Sequence, residues 1–175
     1  MNVSDLSSGC LVFMTGYSGS GKSTLASALA QRLPGSVVLD GDEIRKVYGS
    51  PPHGAAGVVT TTERVIDLSL THFKSRQCVV AAFVAPREDL RARVRLAMQE
   101  NGIRFIEVFV KADIEVCASR DVKGLYKRWS EGEDIRLAGI NEPFDIPKAP
   151  EVICETGISS LDENVTQIFN AIEGA

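Results

Sequence analysis

Residues 16–23, Gly16-Tyr17-Ser18-Gly19-Ser20-Gly21-Lys22-Ser23, match G-x-x-x-x-G-K-[ST] in full. Upstream, residues 10–15 (CLVFMT) are a short apolar run that reads as a buried strand. Downstream, a helical pattern runs from Lys22, with Leu25, Leu29 and Leu33 four apart, and Pro34-Gly35 ends it. Strand, glycine-rich loop and amphipathic helix in this order form a phosphate-binding loop. Its glycines allow a tight turn in which several N–H groups point at one anion. The helix start adds its positive dipole end. In such a loop Lys22 reaches the β- and γ-phosphates, and the Ser23 hydroxyl suits Mg²⁺. The candidate nucleotide-binding residues are Gly16, Ser18, Gly19, Ser20, Gly21, Lys22, Ser23 and Thr24. The motif specifies a nucleoside triphosphate and says nothing of what receives the phosphate.

Outward from this loop, strands alternate with helices. Residues 37–39 (VVL) read as a second strand stopped at Asp40-Gly41-Asp42, with a short helix to about Tyr48. Residues 49–59 (GSPPHGAAGVV) read as a mobile Gly/Pro-rich loop. Thr60-Thr61-Thr62 would cap a helix running to Lys74. Residues 78–84 form an apolar strand, 87–100 a helix with Leu90, Val94, Ala97 and Met98 on one face, 103–110 a strand and 113–120 a short helix. Residues 121–150 lose periodicity, 151–154 read as a last strand, and Ser160-x-x-Glu163 is a capping box. That box opens a helix with Leu161, Val165, Ile168, Phe169 and Ile172 on its apolar face. The pattern predicts an α/β, three-layer P-loop NTPase fold with a parallel sheet, as one domain over 1–175 with a lid at about 120–145.

At 175 residues the chain is long enough for a sizeable core, and its ordinary hydrophobic content excludes disorder and coiled coil. Its net charge of −4 argues against sequence-independent nucleic-acid binding. No stretch is apolar enough to span a membrane, and residues 1–9 lack the features of a signal peptide, so the expected compartment is the cytoplasm. Cys10, Cys78, Cys117 and Cys154 lack zinc or CxxC spacing and read as buried reduced thiols. His53, in the mobile loop, and His72, on a helix, carry no assigned role.

Among P-loop proteins a small kinase fits best. No acid follows the third strand, where a GTPase places one, and Val110-Lys111-Ala112-Asp113 lacks the amide of a guanine signature. Asp40 and Asp42 end the strand after the P-loop helix, at the sheet edge where ligands gather. One acid can serve the hydrated metal with Ser23 while the other meets the acceptor hydroxyl; the alternative is a solvated turn. Arg120, Lys123, Lys127 and Arg128 supply positive charge either to a lid over the phosphates or to a solvated loop.

The chain resembles adenylylsulfate (APS) kinases, which phosphorylate the ribose 3′-hydroxyl of adenosine 5′-phosphosulfate. The matching segments are GYSGSGKST at 16–24, LDGDEIR at 39–45, EVFVKADIEVCASRDVKGLYKRW at 107–129 and GINEPFDIPKAPEV at 139–152. The resemblance implies an adenylate-kinase-like fold, ATP and Mg²⁺ as cofactors and a role in sulfate assimilation. It implies catalytic roles for Lys22 and Asp42, metal contacts from Ser23 and Asp40, and acceptor contacts from Asp42, Arg45, Lys123 and Leu137. Arg120 would lie beside the nucleotide. The partner is a small anionic acceptor, a nucleotide derivative; no nucleic acid or membrane is expected, and a homodimer is compatible with the reading.

The departures from the family pattern fall on the acceptor side. The family's D-L-G-F-S and D-R-x-E-N-I-R-R segments are replaced by GSPPHGAAGVV and TTTERVI. The lid's K-G-F-T-G reads Ile135-Arg136-Leu137-Ala138-Gly139, so both phenylalanines that would stack on the acceptor's adenine are missing. Glu43 follows Asp42 where the family has Asn, and Ala85 replaces a serine. These departures spare the ATP side and weaken adenylyl sulfate as the acceptor, which stays the first candidate on the resemblance. The alternatives are another nucleotide or sugar derivative, such as cytidine diphosphoramidate, or a nucleotide-binding regulator without turnover.

Overall fold

Strand β1 (Cys10–Thr15) is buried at every position, which fits only a central strand covered on both faces. In the computed structural model, which describes residues 9–49, 55–73 and 78–174, β1 lies between β3 (Val79–Ala82) and β4 (Arg104–Lys111). β2 (Val37–Asp40) and β5 (Val152–Glu155) complete a parallel sheet ordered β2-β3-β1-β4-β5. The sequence alternation of β1 sorts its side chains between two cores. Cys10, Val12 and Met14 pack with Leu25 and Leu29 of α1 (Lys22–Arg32) and Val165, Ile168 and Ile172 of α7 (Leu161–Glu173). Leu11 and Phe13 pack with Val65 of α3 (Ala55–Phe73) and Val94 and Met98 of α4 (Glu88–Glu100). Each fully buried Leu, Phe or Met contributes about 1.5–3 kcal/mol to holding these three layers together. The capping box of α7 is formed in both directions between Ser160 and Glu163.

Some local expectations are corrected. α3 starts at Ala55, inside the segment read as a loop, and Thr60–Thr62 lie in its interior rather than capping it. Their hydroxyls donate to the carbonyls of Ala56, Gly57 and Val58, four residues back, at 3.0, 2.8 and 2.9 Å. A threonine can satisfy its hydroxyl this way, so packing of Val65 on the sheet outweighs the cap signal. His53 and Lys74 lie outside the described residues. Asp40-Gly41-Asp42 is not a free turn. Asp40 is the N-cap of α2 (Gly41–Tyr48), and its carboxylate accepts from the Asp42 N–H at 2.8 Å. The aperiodic stretch contains α6 (Leu125–Ser130), too short to show a period. Leu161 is half exposed at the first turn of α7 rather than on its buried face. All four cysteines are free; Cys78 is half-buried and the other three are buried. Among the described residues, no helix is long and apolar enough to cross a membrane.

Candidate active site

The phosphate loop joins β1 to α1, and its glycines are where the sequence motif requires them. Gly16 has φ +153°, and a Cβ there would lie 2.4 Å from the Val110 carbonyl oxygen on β4. Gly19 has φ +79°, and its Cβ would meet the Cys117 carbonyl of α5 (Ile114–Arg120) at 2.8 Å. A side chain at either position would force the loop away from the sheet.

The loop carbonyls are all engaged. Lys22 Nζ donates to the carbonyls of Gly16 (2.9 Å) and Tyr17 (2.6 Å). The Tyr126 hydroxyl of α6 donates to Ser18 O (2.8 Å), Arg120 to Gly19 O (3.3 Å), and the Thr156 hydroxyl to Ser20 O (2.6 Å). Leu25 N–H donates to Gly21 O at 2.9 Å. Among the described residues, no hydrogen bond uses the N–H of Gly19, Gly21, Lys22 or Ser23. A loop with its acceptors satisfied and its donors free is a receptor for a polyanion. Burial, reinforced by the positive charge of Lys123, lowers the Lys22 pKa to about 8.

Asp40 and Asp42 extend the site past the loop. The Ser23 hydroxyl donates to Asp40 Oδ2 at 2.5 Å, while Asp40 Oδ1 takes the Asp42 N–H. Asp42 is gripped by Arg45 from its own helix and by Lys123 from the aperiodic segment. Burial pushes its pKa up, but the hydrogen bonds and charges of Lys123 and Arg45 prevail and hold it below the usual carboxylate range. Arg120 Nη2 donates to Thr156 O at 2.6 Å, which sets its guanidinium beside the loop.

A cavity of about 760 Å³ runs over these groups. One end, at Arg120, Thr156, Ser159 and Leu161, lies beside the loop; the other passes Asp42 and Arg45 to reach α3 and the tip of β3. Of the sequence-predicted residues, Ser18, Gly19, Gly21, Lys22, Ser23, Thr24, Asp40, Asp42, Arg45, Arg120 and Lys123 all line it. Gly16 and Ser20 do not; they shape the loop from behind. Leu137 does not line it either. It is buried with Ala112, Cys117 and Tyr126 in a small cluster under the aperiodic segment, and its neighbour Arg136 reaches the cavity instead. Sequence reasoning missed Thr156 and Tyr126. Thr156 follows the last strand at the ligand edge, a position that could have marked it. Tyr126 carried no separate signal.

A parallel sheet in this order, with the phosphate loop leaving its central strand and acids at the next strand end, belongs to the P-loop kinases. A shikimate kinase from Acinetobacter baumannii shares the fold at TM-score 0.63 and 20% identity, covering 99% of this chain and 98% of its own. The sequence narrows the class further. Residues 8–155 match the family model for adenylylsulphate kinase. The chain is 34% identical to the adenylyl-sulfate kinase of Myxococcus xanthus over 95% of this chain and 92% of that protein. It is 36% identical to that of Gloeothece citriformis, over 94% of each. The Mycobacterium tuberculosis APS kinase, solved in complex with AMPPNP and APS, superposes at TM-score 0.90 with 29% identity, covering 95% of this chain and 98% of that one. The chain belongs to the adenylylsulphate kinase family.

Proposed function

We propose that this enzyme transfers the γ-phosphoryl group of ATP to the ribose 3′-hydroxyl of adenylyl sulfate. The observation that carries the reading is one continuous cavity with the donor loop at one end and the Arg45–Asp42–Lys123 cluster beyond it. Family membership supports the choice of acceptor. The triphosphate takes the free N–H groups of Gly19, Gly21, Lys22 and Ser23, and Lys22 turns from the loop carbonyls toward the phosphates. Ser23 and Asp40 offer a hydroxyl and a carboxylate, the hard oxygen set that suits Mg²⁺. Bound there, the ion would neutralise charge on the β- and γ-oxygens.

Asp42 accepts a hydrogen bond from the acceptor hydroxyl and orients its oxygen toward the γ-phosphorus. The new P–O bond forms as the β–γ bridging P–O bond breaks, ADP leaves, and the hydroxyl proton passes to Asp42 or solvent. With its pKa below the ordinary range, Asp42 stays ionised and serves first as an orienting acceptor. Arg45 and Lys123 hold the acceptor's anionic groups, and Arg120 sits at the nucleotide end, 3.3 Å from Gly19 O. The α3 wall, with Gly57, Val58, Thr61, Thr62 and Val65, carries neither charge nor an aromatic ring, so acceptor selectivity would be set there.

The test is transfer of label from [γ-³²P]ATP to adenylyl sulfate, cytidine diphosphoramidate and simple sugars, with Lys22→Ala as the inactive control. Fastest turnover of adenylyl sulfate is expected. Preference for another acceptor would overturn the specificity and leave the kinase assignment standing. Nucleotide binding without transfer to any acceptor would overturn both.

A further inference from the structure

The ligand site occupies the C-terminal edge of the sheet; the opposite edge carries a pair of sulfurs that the phosphotransfer reaction does not use. β1 opens with Cys10, and Cys78 immediately precedes β3. The register Leu11↔Val79 makes the two cysteines the next neighbours along a parallel strand pair. Their Sγ atoms lie 2.7 Å apart. Adjacent strands are about 4.8 Å apart, which falls within the Cα separation a disulfide accepts. On the other flank of Cys10, β4 places Arg104 in register. Its guanidinium is anchored on the carbonyl of Ile172 at 2.6 Å.

The two thiols have unlike environments. Cys10 is buried, while Cys78 is half-buried and the more exposed of the two. The hydrogen bond between the two sulfurs outweighs burial and, with the Arg104 charge, lowers the pKa of the Cys78 thiol. The same hydrogen bond, together with burial, pushes Cys10 up. The difference in burial makes Cys78 the sulfur that meets an oxidant and Cys10 the one that resolves it.

We propose that Cys10 and Cys78 form a reversible oxidation site that closes to an intrachain disulfide on exposure to a hydroperoxide. The Cys78 thiolate attacks the terminal peroxide oxygen. The O–O bond breaks, the alcohol or water leaves, and Cys78 becomes a sulfenic acid. The Cys10 sulfur then attacks the Cys78 sulfur, the S–O bond breaks, and the hydroxyl departs as water with the Cys10 proton. In sum, two thiols and one hydroperoxide give one disulfide, one alcohol (or water) and one water; the thiols lose two electrons and the peroxide gains them. A dithiol reductant reverses the change, as suits a compartment where such bonds are transient.

The consequence follows from where the bond lies. The cysteines are 68 residues apart, and the loop between them holds the phosphate loop, α1, β2, α2 and α3. A cross-link there restricts the unfolded chain while joining strands already paired, far from Asp42 and Lys22. It acts as a staple on the nucleotide-binding half and not as an off-switch.

The full-length protein is treated with hydrogen peroxide, free thiols are alkylated, and intact mass and peptide maps are recorded. A loss of about 2 Da, a Cys10–Cys78 linked peptide and reversal by dithiothreitol are expected. The oxidised form should unfold several degrees higher and keep its kcat within about twofold. Cys10→Ser should halt at a dimedone-reactive sulfenic acid on Cys78, and Cys78→Ser should give no linked peptide. Linkage between other cysteines, two thiols still alkylatable after oxidation, or loss of activity that dithiothreitol restores would each overturn the proposal. If Cys10→Ser does not fold, the wild-type peptide map alone decides it.

Discussion

On the proposed function, Lys22 should make the binding of ATP dependent on pH, in a direction set by its burial. A triphosphate binds the ammonium form, and burial lowers the Lys22 pKa to about 8. The charged form is therefore held below that value and lost above it. Phosphate oxygens around the ammonium restore its ordinary range, so binding above pH 8 must be accompanied by proton uptake. The protonated fraction falls from about nine-tenths at pH 7 to about one-tenth at pH 9, so apparent affinity should weaken about tenfold, or about 1.4 kcal/mol. Terminal phosphate ionisation lies near pH 6, below this window. The assay is equilibrium titration with a non-hydrolysable ATP analogue at pH 7, 8 and 9. Calorimetry at pH 8 in two buffers of different ionisation enthalpy should show uptake of about half a proton. Lys22→Ala should bind weakly with no slope across the window. A flat profile in the unaltered enzyme, or proton release, would refute the account of a desolvated lysine resting on the loop carbonyls.

Three further outcomes follow from the geometry. Asp42→Asn removes the charge proposed to orient the acceptor and should lower kcat by about a hundredfold or more, with ATP affinity within about twofold; an unchanged kcat would reduce Asp42 to a partner for Arg45 and Lys123. Leu137→Phe should destabilise the protein by about 1–3 kcal/mol in urea unfolding through overpacking, without improving acceptor KM. An improved KM would show that this position meets the acceptor. Gly139→Ala should cost about 1–3 kcal/mol, because Gly139 has φ +88° and a Cβ would fall 2.3 Å from the Tyr17 ring; a melting temperature unchanged within a degree would contradict that contact.

The acceptor side shows where reading the chain by itself loses force. Asp42, Arg45 and Lys123 are separate signals along the sequence, and folding makes them one ion cluster. Leu137 sits where a family pattern places an acceptor contact, yet an apolar side chain with Cys117 and Tyr126 beside it gains more from joining them than from lining a polar cleft. The α3 wall is not legible in the sequence, because Thr60-Thr61-Thr62 mimic a helix start and the packing of Val65 on the sheet is not local.

From the sequence alone came the strand–loop–helix of residues 10–32, the alternation that demands a parallel sheet, and the acids at 40 and 42. These depend on period, glycine torsion and capping, which act within a few residues. Only the folded chain decided which groups pin the phosphate loop. Tyr126 reaches Ser18 across 108 residues and Thr156 reaches Ser20 across 136. No local periodicity encodes such a contact, because it exists only once the sheet order has brought the ends of β1, β4 and β5 to one edge.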